Sequence, residues 1–464
     1  MFPMRLMFAI LAAATLVSAT PSLAQTCRPM DNSAVGIDTG VTDLIPQRCD
    51  DQRKCQMFAM DGRPIGEPGD RVVPRTATAN GVVAVEKKQS GLQGYMSVDG
   101  AWKVEPQFKQ AGPYCENRAA VQRVDSLWVY LDPKGEEVGS PRDAAEAFTE
   151  GLGLVTSYKG GHDFRHGYVD TSGKVVIPVT FAGARLFSEG LAAVLVDGKW
   201  GYIDRDGKMI IPPRFAEADT FHNGRAVVSI SASWGKSGLI DRSGKFVVEP
   251  RYEQISKVGE KFWSVGGIDR SYRGNGEPPA LVRLVDAEGH LVSKQVYNSF
   301  GAVQDGLMSV CRDDRCGFMD TSGKLVIPLK YKGAGDFQEG LAAVTSDGDS
   351  YGFIDRNGKT VLAARYESLG PHKEHFTPGP FVNGLAPAGC KGSWGFIDKS
   401  GAWAIPPVYR FAESFDNGFA SVEVRGGTAH LRPDGSAIDF TPAEIDAAAP
   451  PTRPCGVPLA RAPH

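Results

Sequence analysis

Apolar residues in this chain come in runs too short for helices. From Phe187 the order is an apolar run, Leu191 to Val196, then a turn at Asp197-Gly198. A second run, Lys199 to Asp204, is followed by the turn Arg205-Asp206-Gly207 and a third run, Met209 to Ile211, ahead of Pro212-Pro213. Asp-Gly and Asp-x-x-Gly between apolar runs are hairpin chemistry: glycine takes the positive φ that closes the turn, and the Asp side chain accepts the amide two residues on. The stretch therefore predicts three short antiparallel strands. No stretch shows the 3.6-residue apolar period of a helix.

The same pattern recurs along the chain. Gly201-Tyr-Ile-Asp204-Arg-Asp-Gly207 returns at Gly167 to Gly173, Gly238 to Gly244, Gly317 to Gly323, Gly352 to Gly358 and Gly395 to Gly401, with degenerate copies at Gly94 to Gly100, Asp132 to Gly135, Asp286 to Gly289 and His430 to Gly435. From Asp132 onward the Asp-to-Asp steps are 38, 34, 37, 45, 34, 35 and 43 residues, a period of about 35 with loop insertions. This predicts an all-β region, residues 57–440, of about ten three-stranded repeats. A single unit leaves its apolar faces uncovered, so neighbours must stack. Three strands is short for a four-stranded propeller blade, and about ten units exceeds the usual four to eight blades. An open superhelical, solenoid-like array is therefore expected, with one large or two smaller β-propellers as the alternative. Pro178, Pro213, Pro250, Pro328 and Pro407 follow the third run, where a missing N–H ends pairing or marks an edge.

Lys199-Trp200-Gly201-Tyr202-Ile203-Asp204-Arg205-Asp206-Gly207-Lys208, with the downstream Ile-Pro-Pro-x-Phe and Phe-x-x-Gly-Leu-Ala, resembles the WG (Trp-Gly) repeat family. Only Trp200-Gly201 and Trp394-Gly395 keep the Trp-Gly pair in place; His166, Cys316 or Tyr351 stands there in other copies, and Trp234-Gly235 is displaced by three residues. The resemblance implies an all-β repeat scaffold common in bacterial proteins without an assigned reaction.

The ends read differently. One basic residue, Arg5, precedes the apolar run Leu6 to Val17 and the small-residue site Ser22-Leu23-Ala24, so residues 1–24 are expected to be a secretory signal peptide. A lipoprotein reading through Cys27 lacks the apolar residue three positions before it, and no later stretch is long and apolar enough to span a bilayer. The protein is thus expected to be exported, to a periplasm or outside the cell. Residues 25–56 read as a cysteine-containing N-terminal cap, and residues 441–464 as a Pro/Ala-rich tail. All eight cysteines lie beyond the cleavage site, which in an exported chain points to disulfides. Cys311 and Cys316 flank a polar four-residue turn between apolar runs, and Cys49 and Cys55 bracket Asp-Asp-Gln-Arg-Lys in the same manner. Zinc is the alternative, but neither pair has the usual spacing and matching second pair. No metal site and no cofactor are expected.

Charge excludes one class of function. With 51 Lys+Arg against 54 Asp+Glu the chain lacks the basic excess that nucleic acid or an acidic membrane requires. His162-x-x-x-His166 and His372-x-x-His375 lie in polar loops without a third metal ligand, Gly235-Lys236-Ser237 lacks the first glycine of a phosphate loop, and no Gly-x-Ser-x-Gly elbow occurs. Aromatics offer the better binding candidates. Trp200, Tyr202 and Asp204 share one strand face, so a groove lined by Trp102, Trp128, Trp200, Tyr202 and Trp394 is a candidate for a glycan or peptide; core packing between units is the competing reading. The function expected is an exported, noncatalytic scaffold that binds a protein or cell-envelope partner. A cell-wall glycan-binding protein is the alternative, and an enzyme with His372, Glu374 and His375 at an inserted loop is the third reading.

Overall fold

The computed structural model describes residues 27–29, 37–38, 45–49, 55–76, 81–161, 163–231, 236–271, 280–367, 379–390, 392–424 and 427–441. The signal segment, nearly all of the Pro/Ala-rich tail, Cys455, His162, Trp234-Gly235, His372, Glu374 and His375 lie outside the described residues. Every element among those described is a β-strand, and neighbouring strands pair antiparallel. Apart from the short pair Arg28–Pro29 and Ile37–Asp38, the strands form ten sheets. One of these is two units joined by a single residue pair, Glu367 with Gly389, so eleven units follow one another along the chain.

Unit five shows the common plan. Its strands are Gly183–Ala184, Leu191–Val196, Lys199–Asp204 and Met209–Phe215, hydrogen-bonded in chain order. The last three are the predicted runs; the first was not anticipated. It holds only two residues, Gly183 opposite Leu195 and Ala184 opposite Val194, too few to show an alternation in sequence. The third run is also longer than expected. Pairing slips between Trp200 opposite Phe215 and Tyr202 opposite Ile211, and Pro212 and Pro213 occupy the slip rather than ending the strand. They are tolerated because this strand is the edge of its sheet.

That slip explains the glycine of the repeated motif. A Cβ on Gly201 would lie 2.5 Å from the Ile211 carbonyl oxygen and 2.8 Å from Pro213 N, with the same collision at Gly395 against Ile405 O and at Gly352 against Leu362 O. The Asp-x-x-Gly turn is held as the sequence predicts. Asp204 Oδ1 accepts from the amides of Asp206 (3.1 Å) and Lys208 (2.9 Å), and Gly207 has φ 81°. The equivalent Asp170 and Asp320 also accept a serine hydroxyl, which together with the amides holds their carboxyls below the ordinary range.

Units are joined by aromatic residues. The Tyr202 ring meets Phe221 of the next unit edge-on, centroids 4.9 Å apart, and its hydroxyl donates to Asp219 O at 2.7 Å. Tyr168 repeats both contacts with Phe187 and Arg185 O, and Phe318, Phe353 and Phe396 keep the ring contact with Phe337, Phe381 and Phe415. This ladder is core between units.

The third-turn glycine of each unit rests on the last strand of the unit before it. A Cβ on Gly244 would sit 2.8 Å from Ile211, on Gly358 3.3 Å from Ile327 and on Gly435 3.3 Å from Ile405. Gly62 of the first unit meets Ile438 of the eleventh in the same way, 2.8 Å from its carbonyl oxygen. The Arg48 guanidinium lies 3.8 Å over the Phe440 ring and donates to Asp439 O, while Arg432 donates to Met60 O. The all-β tandem-repeat reading stands, and in it the first unit packs against the eleventh.

None of the cysteines described is free. Cys311 and Cys316 are bonded across their hairpin, as expected. Cys49 and Cys55 lie opposite each other in strand register, and Cys55 is disulfide-bonded. Cys27 is bonded to Cys115 of the third unit, 88 residues on, a pair with no local signature in the sequence.

Candidate functional site

The aromatic groove expected from sequence does not form as one surface. Trp394 is 1% exposed and Tyr202 0%, both inside core clusters, so neither has a face for a ligand. The physical reason is the ladder: the strand face that carries them is the one that stacks on the next unit. Trp102, Trp128 and Trp200 are half-buried, each packed at the margin of a different cluster. Trp200 also carries the Arg185 guanidinium, 5.4 Å from its ring centroid.

Half of the exposed large apolar side chains described lie on turns between the second and third strands of four units, the rest mostly on last strands. Val124 of the third unit is 61% exposed, Tyr158 and Phe164 of the fourth are 48% and 49%, Ile230 of the sixth is 43% and Ile268 of the seventh 54%. Unit four extends its hairpin, Leu152–Tyr158 paired with Phe164–Asp170, so that Tyr158 and Phe164 face each other at its end with centroids 5.1 Å apart. Sequence reasoning looked for tryptophans at the motif and passed over these two, although the insertion around Gly160-Gly161 marks the longer hairpin.

The opposite end of the sheets carries the turns between first and second strands. There Glu116, Glu150, Glu189, Asp305 and Glu339 hold positive φ between 51° and 56°. An acidic residue in that region is strained, and each is compensated by caps it makes on the next unit. Glu116 accepts from the amides of Glu150 (2.7 Å) and Gly151 (2.6 Å), Glu150 from Gly190 (2.8 Å), Glu189 from Gly224 (2.7 Å), Asp305 from Gly340 (2.9 Å) and Glu339 from Gly384 (3.1 Å). The first turns of units three to seven converge on a cleft of about 300 Å³ bordered by Glu116, Thr149, Glu150, Phe187, Glu189, His222, Lys257 and Glu260, with Cys27 at its edge. A smaller cleft of about 130 Å³, between units six and seven, shares His222 and Lys257.

Several titratable groups among the described residues are paired or shifted by burial. His166 Nδ1 lies 3.0 Å from Thr156 Oγ1, and burial lowers its pKa. His430 Nδ1 lies 2.6 Å from Asp439 Oδ2, both buried where the last unit meets the first. Among the described residues no group of three His, Cys, Asp or Glu is placed to hold a metal. Burial pushes the Glu146 carboxyl up to about 7. A raised carboxyl pKa means the folded chain holds a proton that the unfolded chain has released. Stability should therefore fall as pH rises from about 4.5 through about 7. Glu146→Gln is expected to remove this loss, on the order of 1–3 kcal/mol at pH 8, read as a flatter dependence of the urea midpoint on pH.

The model of the family described as "WG containing repeat" matches at residues 94–128, 167–200, 200–234, 238–260, 317–348, 351–374 and 394–427. No curated protein matches the chain. Among solved structures, a crystal structure of a eukaryotic initiation factor is 12% identical with TM-score 0.37, over 70% of this chain and 94% of that one. BamB from Moraxella catarrhalis is 15% identical with TM-score 0.32, over 65% and 93%.

Proposed function

We infer, for a chain that belongs to the WG-repeat family, that it is an exported, noncatalytic scaffold which binds a protein or cell-envelope partner through the exposed ends of its second hairpins. One observation carries this reading: the residues that recur from unit to unit are engaged inside the array. The motif aspartates hold turn amides, the motif tyrosines bond the next unit, and the motif glycines admit a crossing strand. The chemistry offered outward lies at positions that vary between units, above all Tyr158 and Phe164, with Val124, Ile230 and Ile268 exposed on the equivalent turns of other units. Exposed aromatics with little rotamer freedom are efficient anchors for a protein partner. The bonded cysteines support an oxidising compartment. Among the described residues no helix is long and apolar enough to cross a membrane.

Affinity capture from envelope extracts tests the reading, with the disulfide-intact chain as bait and a Tyr158→Ser/Phe164→Ser variant as control. A partner retained by the parent and lost by the variant is the expected result. Equal capture by both would remove this surface from the account. The glycan reading rests on the same ring pair, whose interplanar angle is 34°; it predicts that soluble envelope glycan, rather than protein, competes for the bait.

A further inference from the structure

We propose that the last strand of the ninth unit, Thr360–Glu367, pairs antiparallel with the same strand of a second copy of this chain. This edge belongs to a different unit from Tyr158 and Phe164, so it goes beyond the partner surface described above.

A strand at the edge of a sheet presents unpaired backbone groups, and a proline on it keeps another strand from adding. Every other strand that follows the third turn of its unit carries one, from Pro106 and Pro178 in early units to Pro328 and Pro406 in later ones. Thr360–Glu367 is the longest of these strands, eight residues, and has none. Ala363 stands where the others place proline, eight residues after the motif Asp355 as Pro212 is after Asp204. The seventh unit has Lys294 at that place and, among the described residues, forms no strand there. On its outer side Thr360–Glu367 is paired, among the described residues, only at its end, Glu367 with Gly389.

The side chains select the occupant. Leu362 and Tyr366 are buried in the core and Arg365 donates to Gly401 O at 3.2 Å, so the edge is held in place before anything pairs with it. Val361 is 45% exposed, and Ala363 and Ala364 are exposed beside it. With a two-fold axis through Ala363, alanine meets alanine and the backbones can approach, Val361 lies opposite the stem of the partner's Arg365, and Lys359 lies opposite the partner's Glu367. Lys359 is exposed, and Glu367 uses Oε2 to accept the Gly392 amide at 3.3 Å, which leaves Oε1 for the lysine. Symmetry makes this pair twice, and opposite charges facing each other across paired strands are stabilising. The strand carries its own complement, which favours a second copy over an unrelated segment.

Sedimentation equilibrium of the disulfide-intact chain over a concentration series tests the proposal. A reversible dimer is expected, since one strand pair makes a small interface. Ala363→Pro/Ala364→Pro should weaken it about tenfold or more, because each copy loses two backbone donors. This variant should still fold, with its urea midpoint as the check: a Cβ on Gly352 would meet Ala363 and Ala364 just as one on Gly201 would meet Pro212 and Pro213, so the place already accepts proline in the fifth unit. Lys359→Glu should weaken the dimer about threefold or more, and Lys359→Glu/Glu367→Lys should restore it. A chain that stays monomeric up to about 0.1 mM, or a dimer that the proline variant retains, overturns the proposal. Failure of the charge swap to restore what the single change loses overturns the antiparallel pairing of like strands. A monomer that captures a different protein, and loses it in the proline variant, overturns the second copy as occupant. Tyr158→Ser/Phe164→Ser should dimerise like the parent, so failure here and failure of the partner surface are separable.

Discussion

Gly201→Ala is expected to destabilise the chain by about 3 kcal/mol, and Gly198→Ala, three residues earlier, by about 1 kcal/mol. The two glycines are required for different reasons. Gly198 closes the second hairpin at φ 74° with nothing within 4 Å of where a Cβ would stand, so alanine there meets only backbone strain. Gly201 does not lie in the left-handed region, and its whole cost is the contact at 2.5 Å with Ile211 O and 2.8 Å with Pro213 N. Both obstacles are backbone, which cannot rotate aside as a side chain would. Relief requires the Met209–Phe215 strand to leave its register, and Ile211 and Phe215 of that strand are each 1% exposed in the core. Because a repeat array sums unit and interface terms, the damage should also be local. Urea unfolding gives the magnitudes, and amide exchange should show lost protection in units five and six while units nine and ten stay protected. Equal costs at the two positions would mean that the crossing strand yields more readily than its packing indicates.

How much of this was legible in sequence depends on whether the cause is local. The Asp-x-x-Gly turn was, since Asp204 and the amides it caps lie within four residues. The three long strands of unit five were, because each is an apolar run between turns. The two-residue first strand was not: Gly183 and Ala184 are assigned by what they pair with, not by what they are. The binding aromatics were misplaced for the same reason. Strand alternation puts Trp200, Tyr202 and Asp204 on one face correctly, but it does not say that the next unit covers that face around Tyr202 while Tyr158 and Phe164 stand outside. The contact between the first and last units was equally hidden, for it depends on Gly62, Arg48 and Arg432 meeting residues more than 370 positions away. The acidic first turns were quoted as Phe-x-x-Gly, and the glutamate inside that motif drew no attention because its partner amide sits about 35 residues on.

Removing the Cys27–Cys115 bond should cost more than removing the bond between Cys311 and Cys316, by more than a factor of two. The loops they close are 88 and 5 residues. Constraint of the unfolded chain grows with the logarithm of loop length, which gives about 4.6 kcal/mol for the first and about 2 kcal/mol for the second. Native packing argues the same way. Cys27 is 3% and Cys115 0% exposed and they share a cluster with Ala147 of the fourth unit, so the longer bond fixes the N-terminal segment to two units at once. The Cys311–Cys316 bond ties strands already held by six residue pairs of register from Leu307 with Asp320 to Arg312 with Arg315. Equilibrium urea unfolding of Cys27→Ser/Cys115→Ser and Cys311→Ser/Cys316→Ser measures both. Equal stability losses would show that the hairpin bond acts through native structure rather than through the length of chain it closes.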